Sequence, residues 1–308
     1  MTAVICTNLQ RLDEEILTIF NRENVQISTS LDGSLITHKA QRTQDDASTS
    51  QFERNLSLVL KRYGPGKISA LPTVNPNDPP EIDSLVEAFV SRGFTSIYLR
   101  PINYQGFARK QHPESIEQSG HWGAYYSKFI HRLIARNWDN RDQVIEETYF
   151  SHCLNRIFKP GLDRHVDLRS PNPVGVDYIV VDFDGKIYPT DEARMLSRSG
   201  IIDLTIGDIA TGWDSPERRA LNEASTNADD PDCQNCVYQP YCGRDIIDDI
   251  SRYGRIDLRR HETNFCKRHM SIFDLAFSLI YSNEDAVQYS LRHWLGLSGD
   301  SITLGESI

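Results

Sequence analysis

The chain has 308 residues, 39% of them hydrophobic, and a formal charge of −10 at pH 7. That length supplies two domains with cores of their own, and the acidic balance argues against a nucleic-acid backbone as the main partner. No apolar run approaches the roughly 20 residues of a membrane span, and the apolar start Ala3-Val-Ile-Cys6 has no basic region before it that would make an export signal, so a cytoplasmic, membrane-free protein is the default expectation.

Taken in order, residues 3–8 read as a buried strand, which would place Cys6 in the core. Leu9, Leu12, Ile16, Ile19 and Phe20 then recur at helical spacing. Val25 to Leu31 is the next strand, closed by the turn signal Asp32-Gly33. Phe52, Leu56, Val59, Leu60 and Tyr63 mark a second helix, Lys67 to Val74 a strand, and Ile82, Leu85, Val86 and Phe89 a third helix behind Pro79-Pro80. Thr95 to Pro101 is a further strand, and Trp122, Tyr125, Tyr126, Phe129, Leu133 and Ile134 lie on a long helix. Four strand–helix alternations predict parallel βα units packed as part or all of a barrel. Such units put function in the loops at the carboxy-terminal strand ends, here Thr7-Asn8, Ser30 to Gly33, Thr73 to Asn75 and Arg100 to Asn103. Their hydroxyls and amides suit a polar cofactor, and they suit plain turn and cap chemistry as well.

A helix is expected near 143–158, with Cys153 on its apolar stripe as a core thiol. Val176 to Phe183 and Lys186 to Tyr188 predict a hairpin across Asp184-Gly185. Asp191-Glu192 opens a short helix, where carboxylates suit the positive dipole end. Residues 214–232 read as a polar, mobile loop, Met270 to Tyr281 as a closing amphipathic helix, and Gly296 to Ile308 as a frayed tail.

Four of the six cysteines fall in one stretch: Cys233-x2-Cys236-x5-Cys242, then Cys266 after a polar loop. A Cys-x2-Cys pair places two thiolates on one turn, and Gly243 is expected to allow a turn behind the third. Four thiolates make a closed, soft site that suits an iron–sulfur cluster or a structural zinc. Disulfides and unligated core thiols are the alternatives; a reducing compartment disfavours the first. Zinc ribbons usually pair two Cys-x2-Cys knuckles, and only one is present.

The stretch Cys233 to Gly243, with Pro240-Tyr241-Cys242-Gly243 at its end, resembles the SPASM or twitch auxiliary-cluster region of radical S-adenosylmethionine enzymes. That family carries Cys-x2-Cys-x5-Cys-x3-Cys and a separate final cysteine. Here the x3 position is Ile246, and the tyrosine-proline-cysteine of a SPASM strand pair is Tyr188-Pro189-Thr190. The resemblance implies that both absent cysteines belonged to the first auxiliary cluster and that Cys233, Cys236, Cys242 and Cys266 ligate the second, one four-iron cluster. Ile27-Ser-Thr-Ser-Leu-Asp-Gly33, with His38 and Arg42 beyond it, looks like the cofactor-contacting fourth strand of peptide-modifying members. The resemblance assigns Ser30 and Arg42 to S-adenosylmethionine, with Thr7 and Leu99 at the same open face and Asp32 shaping the turn.

The phrases Ile5-Cys-Thr-Asn-Leu9, Ser28 to Gly33, Leu99-Arg-Pro-Ile102, Gly106-Phe-Ala108, Asp191 to Leu196 and Pro240 to Gly243 are similar, in this order, to the B-type maturase of the His-Xaa-Ser system. This implies an α/β fold in four parts: a partial radical S-adenosylmethionine barrel over 1–140, a linker helix region over 141–175, a small α+β SPASM or twitch domain over 176–295, and a flexible tail over 296–308. It implies a His-Xaa-Ser repeat peptide as substrate. The family's Cys-x3-Cys-x2-Cys, which binds the cluster that cleaves the cofactor, is absent from the sequence. The expectation is therefore the later part of such an enzyme, inactive alone, with S-adenosylmethionine chemistry only when a partner supplies the missing strands and cluster. A peptide-binding protein that keeps an iron–sulfur or zinc site as a structural staple is the alternative.

Overall fold

A computed structural model describes residues 2–106, 108–159 and 165–297. Phe107 of the Gly106-Phe-Ala108 phrase, part of the expected linker and the tail beyond Leu297 lie outside the described residues. In chain order the elements are β1 (Ala3–Cys6), α1 (Glu14–Phe20), β2 (Val25–Ser30), α2 (Leu35–His38), α3 (Asp46–Tyr63), β3 (Ile68–Leu71), β4 (Thr73–Val74), α4 (Ile82–Val90), β5 (Ser96–Ile97), β6 (Arg100–Pro101), α5 (Ala108–Gln111), α6 (Ser119–Asp139), β7 (Glu146–Glu147), α7 (Thr148–Phe158), β8 (Val180–Val181), β9 (Lys186–Tyr188), α8 (Asp191–Arg198), β10 (Gly207–Asp208), α9 (Pro216–Ala224), α10 (Pro231–Gln234), α11 (Ile246–Tyr253), α12 (Asn264–Ile280) and α13 (Asp285–Leu295). The chain divides into two compact units that interleave in sequence: Met1–Pro101 with Lys128–Ser151 and Asn283–Ile308, and Ile102–Ser127 with His152–Ser282.

Every named strand of the first unit pairs in parallel. β1, β2 and β3 form one sheet in that order, with Ala3 opposite Val25 and Ile27 opposite Ile68. β4 pairs with β6, and β5 with β7. Two segments expected as single strands each divide. Pro72 has no N–H to carry the ladder on, so β3 stays with β2 while β4 pairs with β6. Thr95 to Pro101 becomes β5 and β6, on different partners. β2 alternates as a half-buried strand should, with Val25, Ile27 and Thr29 inside. α3 begins where the Asp45 side chain accepts the Ser48 N–H, buries Phe52, Leu56 and Val59, and ends at Gly64 in a positive-φ conformation (φ 77°). Each of those apolar side chains contributes roughly 1.5–3 kcal/mol of burial.

Three further differences have physical causes. The expected helix near 143–158 starts later, because Glu146–Glu147 is strand β7. Its Glu147 is fully buried; one carboxylate oxygen accepts the Leu99 N–H (3.0 Å) and the other the Phe150 N–H (2.6 Å). Cys6 is exposed, not a core thiol, since β1 is an edge strand whose alternate residues, Val4 among them at 60% exposure, face outward. α13 is an unexpected helix; its Trp294 donates Nε1–H to the Ile145 carbonyl (2.9 Å) and meets Phe150 edge-on.

The second unit holds the antiparallel sheet β10–β9–β8, with the expected hairpin turning at Gly185 (φ 84°). Cys153 is fully buried, as its stripe predicts. Residues 214–232 are not a loop: Ser215 caps α9 with Pro216 at its first turn, and Asp230 caps α10 with Pro231 at its own. α12 starts at Asn264, six residues before the expected Met270, because Thr263 caps it.

Candidate functional site

Four of the cysteines are set in the second unit by caps and tight turns. Asp230 Oδ1 accepts the Asp232 (3.0 Å) and Cys233 (3.4 Å) N–H groups, fixing Cys233 in α10. The Cys236 N–H donates to the Cys233 carbonyl (2.9 Å), and the Cys242 N–H to the Tyr238 carbonyl (3.0 Å), so the Cys-x2-Cys and Cys-x5-Cys spacings are closed turns. Cys266 lies in the first turn of α12, its N–H on the Thr263 hydroxyl (3.3 Å). Gly243 is needed for a different reason than a turn. Its φ is not in the left-handed region, but a Cβ there would stand 2.2 Å from the Asp167 carbonyl oxygen and 2.8 Å from the Arg169 nitrogen. The backbone behind Cys242 is therefore packed directly on the 167–169 segment.

The four thiols are half-buried, none in a disulfide, and act on one another electrostatically. Burial, then Asp230, with Cys266 and Cys236 adding to it, pushes the Cys233 thiol up to about 12. Burial, then Cys266, Cys233 and Cys236, pushes up the Cys242 thiol. Burial is the main cause at Cys266 too, opposed by Arg260 and reinforced by Cys236. These three stay protonated near neutral pH until a metal takes the proton's place. Among the described residues no group of three or more His, Cys, Asp and Glu is drawn together tightly enough for a metal ion. A tetrahedral zinc with bonds of about 2.3 Å would hold its sulfurs only about 3.8 Å apart. The thiols are within electrostatic reach of one another.

The two positions where the related pattern has further cysteines are occupied otherwise. Thr190 is the N-cap of α8, its hydroxyl accepting the Ala193 N–H (3.0 Å). Ile246 is 1% exposed and packs with Ala193, Leu196, Leu204 and Ile247. A cap and an apolar contact of α8 with α11 fill that place.

A separate cleft of about 230 Å³ lies in the first unit, lined by Asn8, Gln10, Ser30, His38, Arg42, Thr43, Ser48 and Phe52. The loop after β1 presents Asn8 and Gln10 because Leu9 is in the left-handed region (φ 54°), its carbonyl held by Asn55 Nδ2 (2.6 Å) and its N–H by the Thr7 hydroxyl (3.1 Å). Ser30 ends β2, and no described residue bonds its hydroxyl. His38 is 3% exposed and stacks on Phe52 (4.1 Å between centroids, 19°), and its Nδ1 has no hydrogen-bond partner. Burial lowers its pKa, against the pull of Asp32.

Of the four side chains assigned to the cofactor, Ser30 and Arg42 line this cleft; Thr7 and Leu99 do not. The Thr7 hydroxyl is used inside its own loop, and Leu99 is a core residue at 2% exposure. Asp32 does more than shape a turn. It is 1% exposed, accepts the Thr73 N–H on Oδ1 (2.8 Å), and takes both Nε–H and Nη2–H of Arg42. Arg42 Nη2 also reaches the Thr73 hydroxyl (2.9 Å), which leaves Nη1 as its donor with no partner among the described residues.

The chain is similar in fold to anSMEcpe. It aligns with native anSMEcpe with bound AdoMet and Cp18Cys peptide at a TM-score of 0.68 and 17% identity, covering 90% of this chain and 74% of that one. Against hexahistidine-tagged anSMEcpe with bound AdoMet the TM-score is 0.69 at 16% identity, over 95% and 74%. Against native anSMEcpe with bound AdoMet and Kp18Cys peptide it is 0.65 at 16%, over 90% and 74%. No protein-family model matches the chain, and no curated protein matches it. No helix of the described residues is long and apolar enough to cross a membrane.

Proposed function

We propose that this chain is the later portion of a radical S-adenosylmethionine peptide maturase of the His-Xaa-Ser type, holding one auxiliary four-iron cluster on Cys233, Cys236, Cys242 and Cys266. In this reading the parallel ladders of the first unit are part of a βα barrel, and the second unit is the SPASM or twitch domain. The observation that carries it is the thiol set: four half-buried cysteines whose thiolates would repel one another, on a backbone cradle that a side chain at Gly243 would fill. Zinc ribbons usually pair two Cys-x2-Cys knuckles and only Cys233-x2-Cys236 is present, so this set fits a cluster better than zinc. The substituted positions agree, since Thr190 and Ile246 are absorbed into a cap and an apolar contact. The similar fold of structures that hold AdoMet and a peptide supports both the cofactor and the substrate class.

In the cleft, Ser30 offers a free hydroxyl, His38 a buried Nδ1 and Arg42 its Nη1. At about 230 Å³ the cleft is below the roughly 300–1,000 Å³ of a site for a whole small molecule. It takes one part of S-adenosylmethionine, with Arg42 held in place by Asp32. A four-thiolate cluster has no open iron, so the segment that cleaves the cofactor is other than these residues. The cluster supplies redox and structural support when bound.

The test is anaerobic incubation of the reconstituted chain with dithionite and S-adenosylmethionine, with and without a protein segment bearing Cys-x3-Cys-x2-Cys. The proposal expects 5′-deoxyadenosine only with the segment. Product without it, lost on Cys233→Ala, means that the auxiliary site has an open iron and that the reading is wrong. Peptide binding without product in either arm favours the second reading, a non-catalytic peptide-binding protein stapled by the cluster, to which the closed four-thiol set is also suited.

A further inference from the structure

One buried cation, Arg260, acts electrostatically on three of the thiols. Arg260 is 3% exposed and ion-paired to the fully buried Asp249, Nη1 to Oδ2 at 2.5 Å. That is the guanidinium's one side-chain hydrogen bond among the described residues, out of five N–H donors. Donors shut away from water without a partner cost about 1–3 kcal/mol each, and the free Arg260 donors are not among the fully enclosed ones, so they stand open to something bound. Arg252 bonds through Nε and Nη1, on Asp248 and on the carbonyls of Ser115 and Ile116. Arg260 bonds through Nη1 alone.

Its backbone is tied to both cysteine-bearing segments. The Arg260 N–H donates to Asp232 Oδ2 (2.8 Å), one residue before Cys233. The Arg260 carbonyl accepts the Thr263 hydroxyl (2.9 Å), the same hydroxyl that receives the Cys266 N–H. The position is therefore held fixed to the site on two sides. Electrostatically it favours the thiolates of Cys233, Cys242 and Cys266, and Cys233 and Cys266 in turn favour its charge. Asp249 is not among the main influences on any of those thiols, so the pair acts on them as a cation.

We propose that Arg260 is a positioning residue for the metal centre: the charge that offsets four thiolates and sets how readily the bound cluster accepts an electron. The inference rests on the cluster reading above. With four thiolate ligands the oxidised centre carries a net negative charge, and one-electron reduction, here from dithionite, makes it more negative still. A fixed guanidinium with unused N–H donors favours the reduced form through both net charge and hydrogen bonds to sulfur, two of the terms that govern such potentials. Asp249 holds the guanidinium in place.

The experiment is an anaerobic redox titration of the reconstituted full chain, followed by electron paramagnetic resonance, for the wild type, Arg260→Lys, Arg260→Met and the double variant Arg260→Met with Asp249→Asn. The double variant removes the buried unpaired carboxylate that Arg260→Met alone leaves behind. At a fixed potential the ratio of reduced to oxidised cluster is expected to fall at least tenfold in both variants without the cation, a 59 mV shift for one electron. Arg260→Lys should stay within threefold. Equal ratios in the wild type and the double variant overturn the inference, as does a shift in Arg260→Lys as large as in Arg260→Met. Iron and sulfide absent from the wild type itself would instead defeat the cluster assignment, a separate failure.

Discussion

The thiol set of the second unit and the arginine cleft of the first treat their polar groups in opposite ways. At the thiols, burial and mutual repulsion raise the cost of the Cys233, Cys242 and Cys266 thiolates, and one side of a buried guanidinium is left unbonded. At the cleft, the guanidinium is taken up by Asp32 and Thr73, and Asp32 takes a backbone N–H besides. The first arrangement is unsatisfied within the protein and calls for something bound; the second is nearly complete by itself. Groups left unsatisfied at a fold's expense mark a site more strongly than residue type does.

Substitutions separate the two regions. The largest effect is expected at the thiols: Cys242→Ser should abolish iron and sulfide retention while the apo chain keeps its far-ultraviolet circular dichroism. The same substitution should also erase the added thermal stability that a ligand binding only the folded state confers. Retention of a full cluster in Cys242→Ser would remove Cys242 from the ligand set. Next, Arg42→Ala should cost about 3 kcal/mol in urea unfolding, because it strands the buried Asp32 carboxylate. Iron content should be unchanged. A loss under about 0.5 kcal/mol would show that Arg42 is free for a ligand and that the contrast drawn above is wrong.

Ile246→Ala should cost roughly 2–4 kcal/mol through the cavity it leaves against Ala193 and Leu196. A neutral result would mean that α8 and α11 do not depend on the apolar contact occupying that position. The smallest effect is pH-dependent. His38 has a folded pKa below the ordinary 6.5, so the unfolded state binds the proton more readily. Its contribution is present above pH 6.5 and is lost as pH falls below that value, with Asp32, Arg42, Glu53 and Arg92 as the charges that face it. His38→Phe, which keeps the stack on Phe52, should flatten the wild-type loss of stability between pH 6.5 and 5. An unchanged slope would place the titration elsewhere.

Much of this was legible because local rules and tertiary structure agree. The alternation of β2, the apolar faces of α3 and α4, the Asp184-Gly185 hairpin and the Asp191-Glu192 helix start all follow from period, turn chemistry and the helix dipole. Where they disagree, the sequence misleads. α9 hides in a mostly polar stretch with only Leu221 and Ala224 turned to the core, although Ser215-Pro216-Glu217 is a start signal. β7 is too short to show a period, and its buried glutamate accepts the distant Leu99 N–H as well as the Phe150 N–H, the first of which no local pattern shows. Cys6 looks like core until β1 is seen to be an edge. The four cysteines were visible from spacing alone. Arg260 was not, since nothing in Arg259-Arg260-His261-Glu262 marks one arginine as buried beside thiols.

The central claim is that Cys233, Cys236, Cys242 and Cys266 hold one iron–sulfur cluster, and metal analysis of the chain purified without oxygen tests it most directly. The account predicts about four iron and four acid-labile sulfide per chain, with no more than traces of zinc, and loss of both iron and sulfide on replacing any of the four cysteines. One zinc per chain without sulfide would contradict it.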